Sequence, residues 1–145
     1  MSGFVNTLDV VGDEALMTSI VNRSITTISD DTVSIIGSHA FYACTKLSKA
    51  DLPAVTKLEA NAFRECSALR RLILRNTDQV VSLNSQFDFY DTPIKSGTGY
   101  IYVPAALIED YKVATNWSTY ASKFRVLEDY TVDGTTTGEL DTSKI

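Results

Sequence analysis

The sequence predicts a short solenoid of the α+β class, with about three to four turns of roughly 22 residues and a helical cap at each end. Three observations lead to this prediction. Two consecutive stretches of the chain repeat the same apolar positions, each repeat contains a strand-like alternation of side chains, and both ends of the array carry amphipathic segments. Caps are expected because a stack of turns otherwise exposes its core at both ends.

The repeat is clearest when residues 36–57 are aligned with residues 58–79. Apolar or small residues coincide at six positions, whereas the residues between them change freely. The matched pairs are Ile36 with Leu58, Ala40 with Ala62, Phe41 with Phe63, Cys44 with Cys66, Leu47 with Leu69, and Leu52 with Leu74. This pattern is typical of a solenoid, in which each turn keeps its inward side chains and varies its outward ones.

Weaker copies flank the clear pair. Residues 24–35 have the pattern of the end of an earlier turn, and a later copy lacks the Ala-Phe and Cys positions. That later copy keeps three apolar residues, which are Leu83, Phe87 and Ile94. An insertion at residues 95–100 then precedes an apolar run at residues 101–104. Terminal repeats are expected to diverge because they must end the stack.

Within each turn we expect one short β-strand, a corner and one helical or 3₁₀ turn. Residues 47–53 and 69–75 alternate inward and outward side chains, which favours strands. Residues 40–44 and 62–66 place Ala, Phe and Cys at spacings that suit a single helical turn with buried Phe and Cys.

The two ends predict caps. Residues 1–23 form the predicted N-terminal arm and capping helix, with an amphipathic helix at residues 13–23. The solenoid itself is expected over residues 24–104 and a C-terminal helical cap over residues 105–130. In that cap one helical face carries Leu107, Tyr111, Ala114 and Trp117, while Asn116 is the expected N-cap of a second helix and residues 124–130 can add a last strand. Residues 131–145 are a polar tail that we expect to be mobile in isolation.

Residues 36–74, IGSHAFYACTKLSKADLPAVTKLEANAFRECSALRRLIL, resemble the BspA-type leucine-rich repeat, and the resemblance extends over residues 25–104. It implies a leucine-rich-repeat β-solenoid that binds partners or serves as a scaffold, with no catalytic residues to transfer and no cofactor. Residues 97–130 resemble the cap that follows such repeats in bacteriophage and prophage proteins. This likeness implies a virion structural protein, associated with capsid or tail subunits. The alternative is an adhesin that binds a receptor or glycan on the phage tail or the bacterial surface.

Composition excludes several other classes of function. The 145 residues contain 18 acidic and 13 basic side chains, for a net charge of −5, which disfavours nucleic acid as the partner. No apolar run reaches the length of a membrane helix, and the first residues lack the pattern of a secretory signal, so we expect neither a membrane partner nor secretion. No nucleophile–base pair, metal-ligand spacing or phosphate-binding loop predicts an enzyme.

Three features of the sequence allow a second interpretation. Cys44 and Cys66 lie one period apart, so a disulfide is conceivable, although two buried thiols are favoured. His39 and the paired acids are interpreted as variable surface positions. The aromatic residues near the insertion fit core filling better than stacking on a ligand.

The candidate partner-binding residues fall into three groups. The middle of the chain, residues 32–79, has seven bases and four acids, whereas both flanking segments are acidic. A basic band between acidic ends suits an acidic partner surface. The candidates are the apolar residues of the arm (Phe4, Val5, Leu8 and Val10), four arginines of one repeat (Arg64, Arg70, Arg71 and Arg75), and two tyrosines after the insertion (Tyr100 and Tyr102).

Overall fold

The computed structural model describes residues 23–145 and the backbone of one further strand, Leu8–Asp9. The described residues form two sheets that run side by side along the solenoid axis. The five-stranded sheet has the order β2-β4-β6-β8-β9, and the four-stranded sheet has the order β1-β3-β5-β7. The strands are β1 (Leu8–Asp9), β2 (Thr27–Ser29), β3 (Ile35–Ile36), β4 (Lys49–Asp51), β5 (Lys57–Leu58), β6 (Arg71–Ile73), β7 (Ser82–Leu83), β8 (Tyr100–Val103) and β9 (Phe124–Val126).

The strand register reproduces the 22-residue repeat. Thr27 pairs with Lys49, and Lys49 pairs with Arg71, each in a parallel ladder. The strands predicted at residues 47–53 and 69–75 are confirmed as β4 and β6. The four-stranded sheet was not anticipated, because its strands are two residues long and too short to produce an alternation in the sequence.

A column of aromatic rings runs through the core. Phe41 stacks on Phe63 with ring centroids 5.3 Å apart, Phe63 stacks on Phe89 at 5.8 Å, and Phe89 stacks on Trp117 at 5.9 Å. Phe87, one of the apolar residues that the sequence pattern keeps in the later copy, is 41% exposed, whereas Phe89 is fully buried. The third turn is longer than the 22-residue repeat, since Arg71 pairs with Tyr100, and Phe89 is therefore the residue equivalent to Phe63.

The corners contain consecutive β-turns in place of the predicted helical or 3₁₀ turn. In the corner that contains Phe41, backbone N–H groups bond to the carbonyl three residues earlier, as in Cys44 to Phe41 at 3.1 Å. The left-handed conformation occurs twice in each of the first two corners, at His39 and Ala43 (φ 60° and 58°) and at Asn61 and Glu65 (61° and 63°), and again in the third corner at Asp91 (63°). A residue with positive φ every turn prevents a continuous helix, because an α-helix requires negative φ throughout.

The insertion is a compact element. It contains α1 (Pro93–Ser96), with Thr92 as N-cap, and then a loop that leads into β8. A Cβ atom at Gly99 would lie 2.6 Å from the backbone nitrogen of Ile94, so only glycine fits at this point of close approach.

The C-terminal cap contains α2 (Ile108–Val113), a 3₁₀ segment Trp117–Lys123, strand β9 and a 3₁₀ segment Leu127–Tyr130. Its predicted apolar face is confirmed at Tyr111 and Trp117, which are buried, and at the partly buried Leu107 and Ala114. Asn116 occupies the predicted N-cap position of the 3₁₀ segment Trp117–Lys123, but its side chain makes no capping hydrogen bond.

Three side chains of the cap form hydrogen bonds with the backbone at the last strand of the four-stranded sheet. The Tyr111 hydroxyl accepts a hydrogen bond from Val81 N at 3.0 Å, and Trp117 Nε1 donates to Val81 O at 2.6 Å. Asn116 Nδ2 donates to Leu83 O at 2.7 Å. These bonds occupy backbone groups that a further strand would otherwise use, so the sheet ends here.

At the other end of this sheet, β1 pairs antiparallel with β3, with Leu8 opposite Ile36. The backbone of the predicted arm is therefore paired with the solenoid of its own chain at Leu8. Residues 13–22 of the predicted helix, together with Phe4, Val5 and Val10, lie outside the described residues.

Candidate interaction face

The outward side chains of the five-stranded sheet form two rows across the strands. One row runs through Thr27, Lys49, Arg71 and Tyr100, and the other through Ser29, Asp51, Ile73 and Tyr102. The residues between them point into the core, as the burial of Ala50 and Leu72 shows. The two rows therefore constitute a flat face held by a closed core.

The C-terminal segment covers part of the second row. Ile73, Tyr102, Leu127 and Leu140 form a small apolar cluster that is separate from the main core. Tyr102 is 4% exposed, and its ring meets that of Tyr130 edge-on at 5.0 Å. The expectation of a mobile tail at residues 131–145 does not fit this structure, because apolar contacts with the sheet hold the segment.

The tail folds into a hairpin, and Arg75 joins this hairpin to the sheet by hydrogen bonds. Val132 N donates to Glu139 O at 2.8 Å within the hairpin. Arg75 makes a two-point ion pair with Asp51, with both N–O distances 2.9 Å, and its Nη1 donates to Thr136 O at 2.9 Å and Gly138 O at 2.8 Å. Both side chains are about nine-tenths buried, at 10% and 13% exposure. Arg75, a predicted partner-binding residue, therefore binds its own chain.

An open cleft of about 750 Å³ lies beside the hairpin. Its walls include Asp31, Glu139 and the Asp51–Arg75 pair. Because Arg75 neutralises Asp51, the cleft carries the uncompensated charges of the other two carboxylates.

The other predicted contact residues are spread over the surface. Arg64 lies at a corner, with its guanidinium carbon 5.8 Å from the ring centroid of Phe87 and 5.9 Å from that of Tyr90. Arg70 is exposed near the insertion, while Arg71 is partly exposed on the sheet face. The four arginines therefore do not form one patch.

Tyr100 and Tyr102 differ sharply in accessibility. The Tyr100 ring lies under the guanidinium of Arg125, at 4.2 Å from Arg125 Cζ to the ring centroid, and Lys123 Nζ is 5.5 Å away. Tyr102 is buried beneath the tail. Arg125 therefore covers one face of the Tyr100 ring, and the predicted tyrosine pair is reduced to the partly exposed Tyr100.

This face also contains Lys49, Lys123 and Arg125, which the sequence did not predict as contact residues. Lys49 had a usable signal, because it lies one 22-residue period before Arg71 and so must be its neighbour across the sheet. Lys123 and Arg125 had no such signal, since the strand β9 that places Arg125 lies beyond the last recognisable repeat.

One buried carboxyl lies in the third corner. Asp88 is fully buried, and its Oδ1 accepts a hydrogen bond from Asn61 N at 2.7 Å. Burial raises the pKa of Asp88 to about 7, an effect that the hydrogen bonds from Asn61 and Ala62 partly oppose. Asp88 occupies the place of Ala62 in the previous turn. Its Oδ1 replaces a backbone carbonyl as the acceptor in the corner ladder, whereas its buried Oδ2 has no hydrogen-bond partner within the described residues.

Other potentially reactive groups have local structural partners. Cys44 and Cys66 are buried free thiols, and Cys66 Sγ donates to Phe41 O at 3.0 Å. A hydrogen bond with Cys44 and burial together raise the pKa of the Cys66 thiol. His39 Nδ1 lies 2.9 Å from Ser38 Oγ, and its ring meets that of Tyr42 edge-on. Residues 23–145 contain no group of three or more potential metal ligands, and their helices are too short to span a bilayer.

The family model for the BspA type leucine rich repeat region, in six copies, matches residues 3–101. The chain belongs to this family. Leucine-rich repeats of this type are typically binding modules and not enzymes, in keeping with the continuous outward face of the five-stranded sheet. No curated protein matches the chain.

Proposed function

We propose that this leucine-rich repeat protein is a non-enzymatic structural protein of a bacteriophage virion, associated with the capsid or the tail. It acts as a scaffold that binds other virion proteins through the outward face of its five-stranded sheet. Its localisation is the virion, after synthesis in the host. The virion assignment is supported by the resemblance of residues 97–130 to the caps that follow such repeats in phage and prophage proteins.

The observation that carries the binding role is the architecture of the sheet face. Five strands in continuous register fix the outward side chains, and the inward residues Ala50, Leu72 and Ile101 are fully buried in the core. A surface that is already ordered loses little conformational entropy when a partner binds. The solenoid is therefore suited to protein recognition.

The decisive experiment is quantitative mass spectrometry of purified phage particles from a host that encodes the chain. Copies in the hundreds per particle would support a capsid role, whereas a handful would support the tail. Absence from particles would overturn the virion assignment, and an adhesin role at the bacterial surface would then be the better explanation.

A second experiment tests the arm. Deletion of residues 1–11 should abolish incorporation into particles while the remaining chain keeps its circular dichroism spectrum. Normal incorporation of the deletion variant would refute docking through Phe4, Val5, Leu8 and Val10.

A further inference from the structure

Four cations and one tyrosine form a continuous strip on the uncovered side of the five-stranded sheet. We call this strip the basic row; it consists of Lys49, Arg71, Tyr100, Lys123 and Arg125. Lys49 pairs with Arg71 and Arg71 with Tyr100 in the parallel ladder, so these residues follow one another at the inter-strand spacing of about 4.8 Å. All five are partly exposed.

The cations at the far end of the row have fixed positions. Arg125 lies over the Tyr100 ring and donates from Nη1 to Phe124 O at 2.8 Å, while Lys123 Nζ donates to Gly97 O at 2.6 Å. These contacts hold the two side chains in place but neutralise neither charge. The pKa of Tyr102 is raised mainly by burial, and Arg71 and Arg125 both oppose this shift, so the two guanidinium groups act on one small region.

Among the described residues, no carboxylate forms an ion pair with a member of the basic row. Within residues 23–145 the ion pairs are Arg75 with Asp51 and Lys112 with Glu109, and neither involves a member of the row. Four unneutralised positive charges therefore lie together on a chain that has 18 acidic and 13 basic residues. Such a concentration attracts a negatively charged partner and repels a positive one.

We propose that the basic row binds an acidic segment of a partner protein, laid across the strands beside the C-terminal hairpin. This inference rests on the protein-binding role proposed above and names the chemistry of the partner. The hairpin already shows that the face accepts a polypeptide, because Arg75 donates to two main-chain carbonyls of it. An anionic polysaccharide fits less well, since Arg125 covers one face of the Tyr100 ring and the tail buries Tyr102, so this side of the sheet offers no pair of open tyrosine rings for a sugar.

The test uses a fluorescein-labelled decamer of glutamate as the probe, with a decamer of glutamine as the neutral control, and measures binding by fluorescence anisotropy. Arg71→Glu should weaken binding of the glutamate decamer at least about tenfold, because it replaces attraction by repulsion at the centre of the row. Lys46→Glu changes the net charge equally at an exposed position outside the row and should weaken binding less than about twofold. Arg71→Gln, which introduces no repulsion, should lie between Arg71→Glu and the unmodified chain.

Three outcomes would overturn the proposal. These are no binding of the glutamate decamer at low ionic strength, equal losses of affinity for Arg71→Glu and Lys46→Glu, or binding of polygalacturonate without binding of the peptide.

Failure of the proposed function would give a different result. If Arg71→Glu leaves incorporation into particles unchanged, the basic row is refuted while the virion role stands. Absence of the unmodified chain from particles refutes the virion role, whatever the peptide does.

Discussion

Substitution of Phe89 by alanine should destabilise the protein far more than the same change at Phe87. Phe89 is fully buried, stacks on Phe63 and Trp117, and meets the ring of Tyr120 edge-on at 5.4 Å. A buried Phe→Ala change costs about 3–5 kcal/mol, and each aromatic pair contributes about 0.5–1.5 kcal/mol beyond its buried area. We therefore expect a loss of about 4 kcal/mol in the free energy of unfolding for Phe89→Ala.

Phe87 provides a matched control two residues away. It is 41% exposed and meets one aromatic ring, that of Tyr90, at 4.8 Å. Its replacement by alanine should cost about 0.5–1 kcal/mol, because it leaves no enclosed cavity. The two variants should thus differ by about 3 kcal/mol.

Urea unfolding measures this difference directly. The fluorescence of Trp117, the one tryptophan of the chain, reports on the same part of the core. If Phe89→Ala does not fold, Phe89→Leu keeps most of the volume and should lose about 1–2 kcal/mol of aromatic contact. The aromatic column is refuted if Phe87→Ala destabilises the chain as much as the changes at Phe89.

Three further predictions follow from the structure. In the folded chain Asp88 keeps its proton up to about pH 7, whereas in the unfolded chain it ionises near pH 4. The free energy of unfolding should therefore fall as pH rises from about 4 to about 7, by up to about 1.4 kcal/mol per pH unit. Urea unfolding across this range should show a flatter dependence for Asp88→Asn, and equal slopes would contradict the assignment. Arg75→Met should lower the free energy of unfolding by about 2 kcal/mol and speed amide hydrogen exchange at residues 131–140, because Arg75 bonds to two carbonyls of the hairpin. The control is Arg70→Met at an exposed position, which should leave exchange at residues 131–140 unchanged. Gly99→Ala should cost about 1–3 kcal/mol through its clash with the backbone, while Gly97→Ala, with its nearest contact at 3.3 Å, should cost under about 1 kcal/mol in thermal unfolding.

The fold could be predicted because its main determinant is periodic. Matches such as Cys44 with Cys66 and Leu52 with Leu74 recur at 22 residues, and all four side chains are buried. The corners could not be predicted in the same way. Helical spacing of Phe41 and Cys44 is equally compatible with consecutive β-turns, and a left-handed Ala43 leaves no signature in the sequence.

The interaction face was only partly predictable because it depends on pairing between distant residues. Arg71 was identified from a local excess of charge, but its neighbour Tyr100 becomes adjacent only through a turn that has been lengthened by the insertion. Arg75 has the same composition signal as Arg71, yet it is satisfied within the chain by Asp51 and the tail. Charge density in a sequence does not distinguish an arginine that faces a partner from one that fastens a terminus.

The side chains that close the four-stranded sheet also decide how long the array can be. Tyr111, Asn116 and Trp117 bond to backbone groups of the final turn, and such groups are the same in every turn whatever the side chains are. The cap therefore ends the sheet by bonding to its backbone, and it is compatible with a different number of repeats before it. Duplication of one 22-residue unit upstream would lengthen the solenoid by about 4.8 Å and add one residue to each outward row. The length of the face that meets a partner can then change through duplication of a repeat within the gene, without substitutions in either cap.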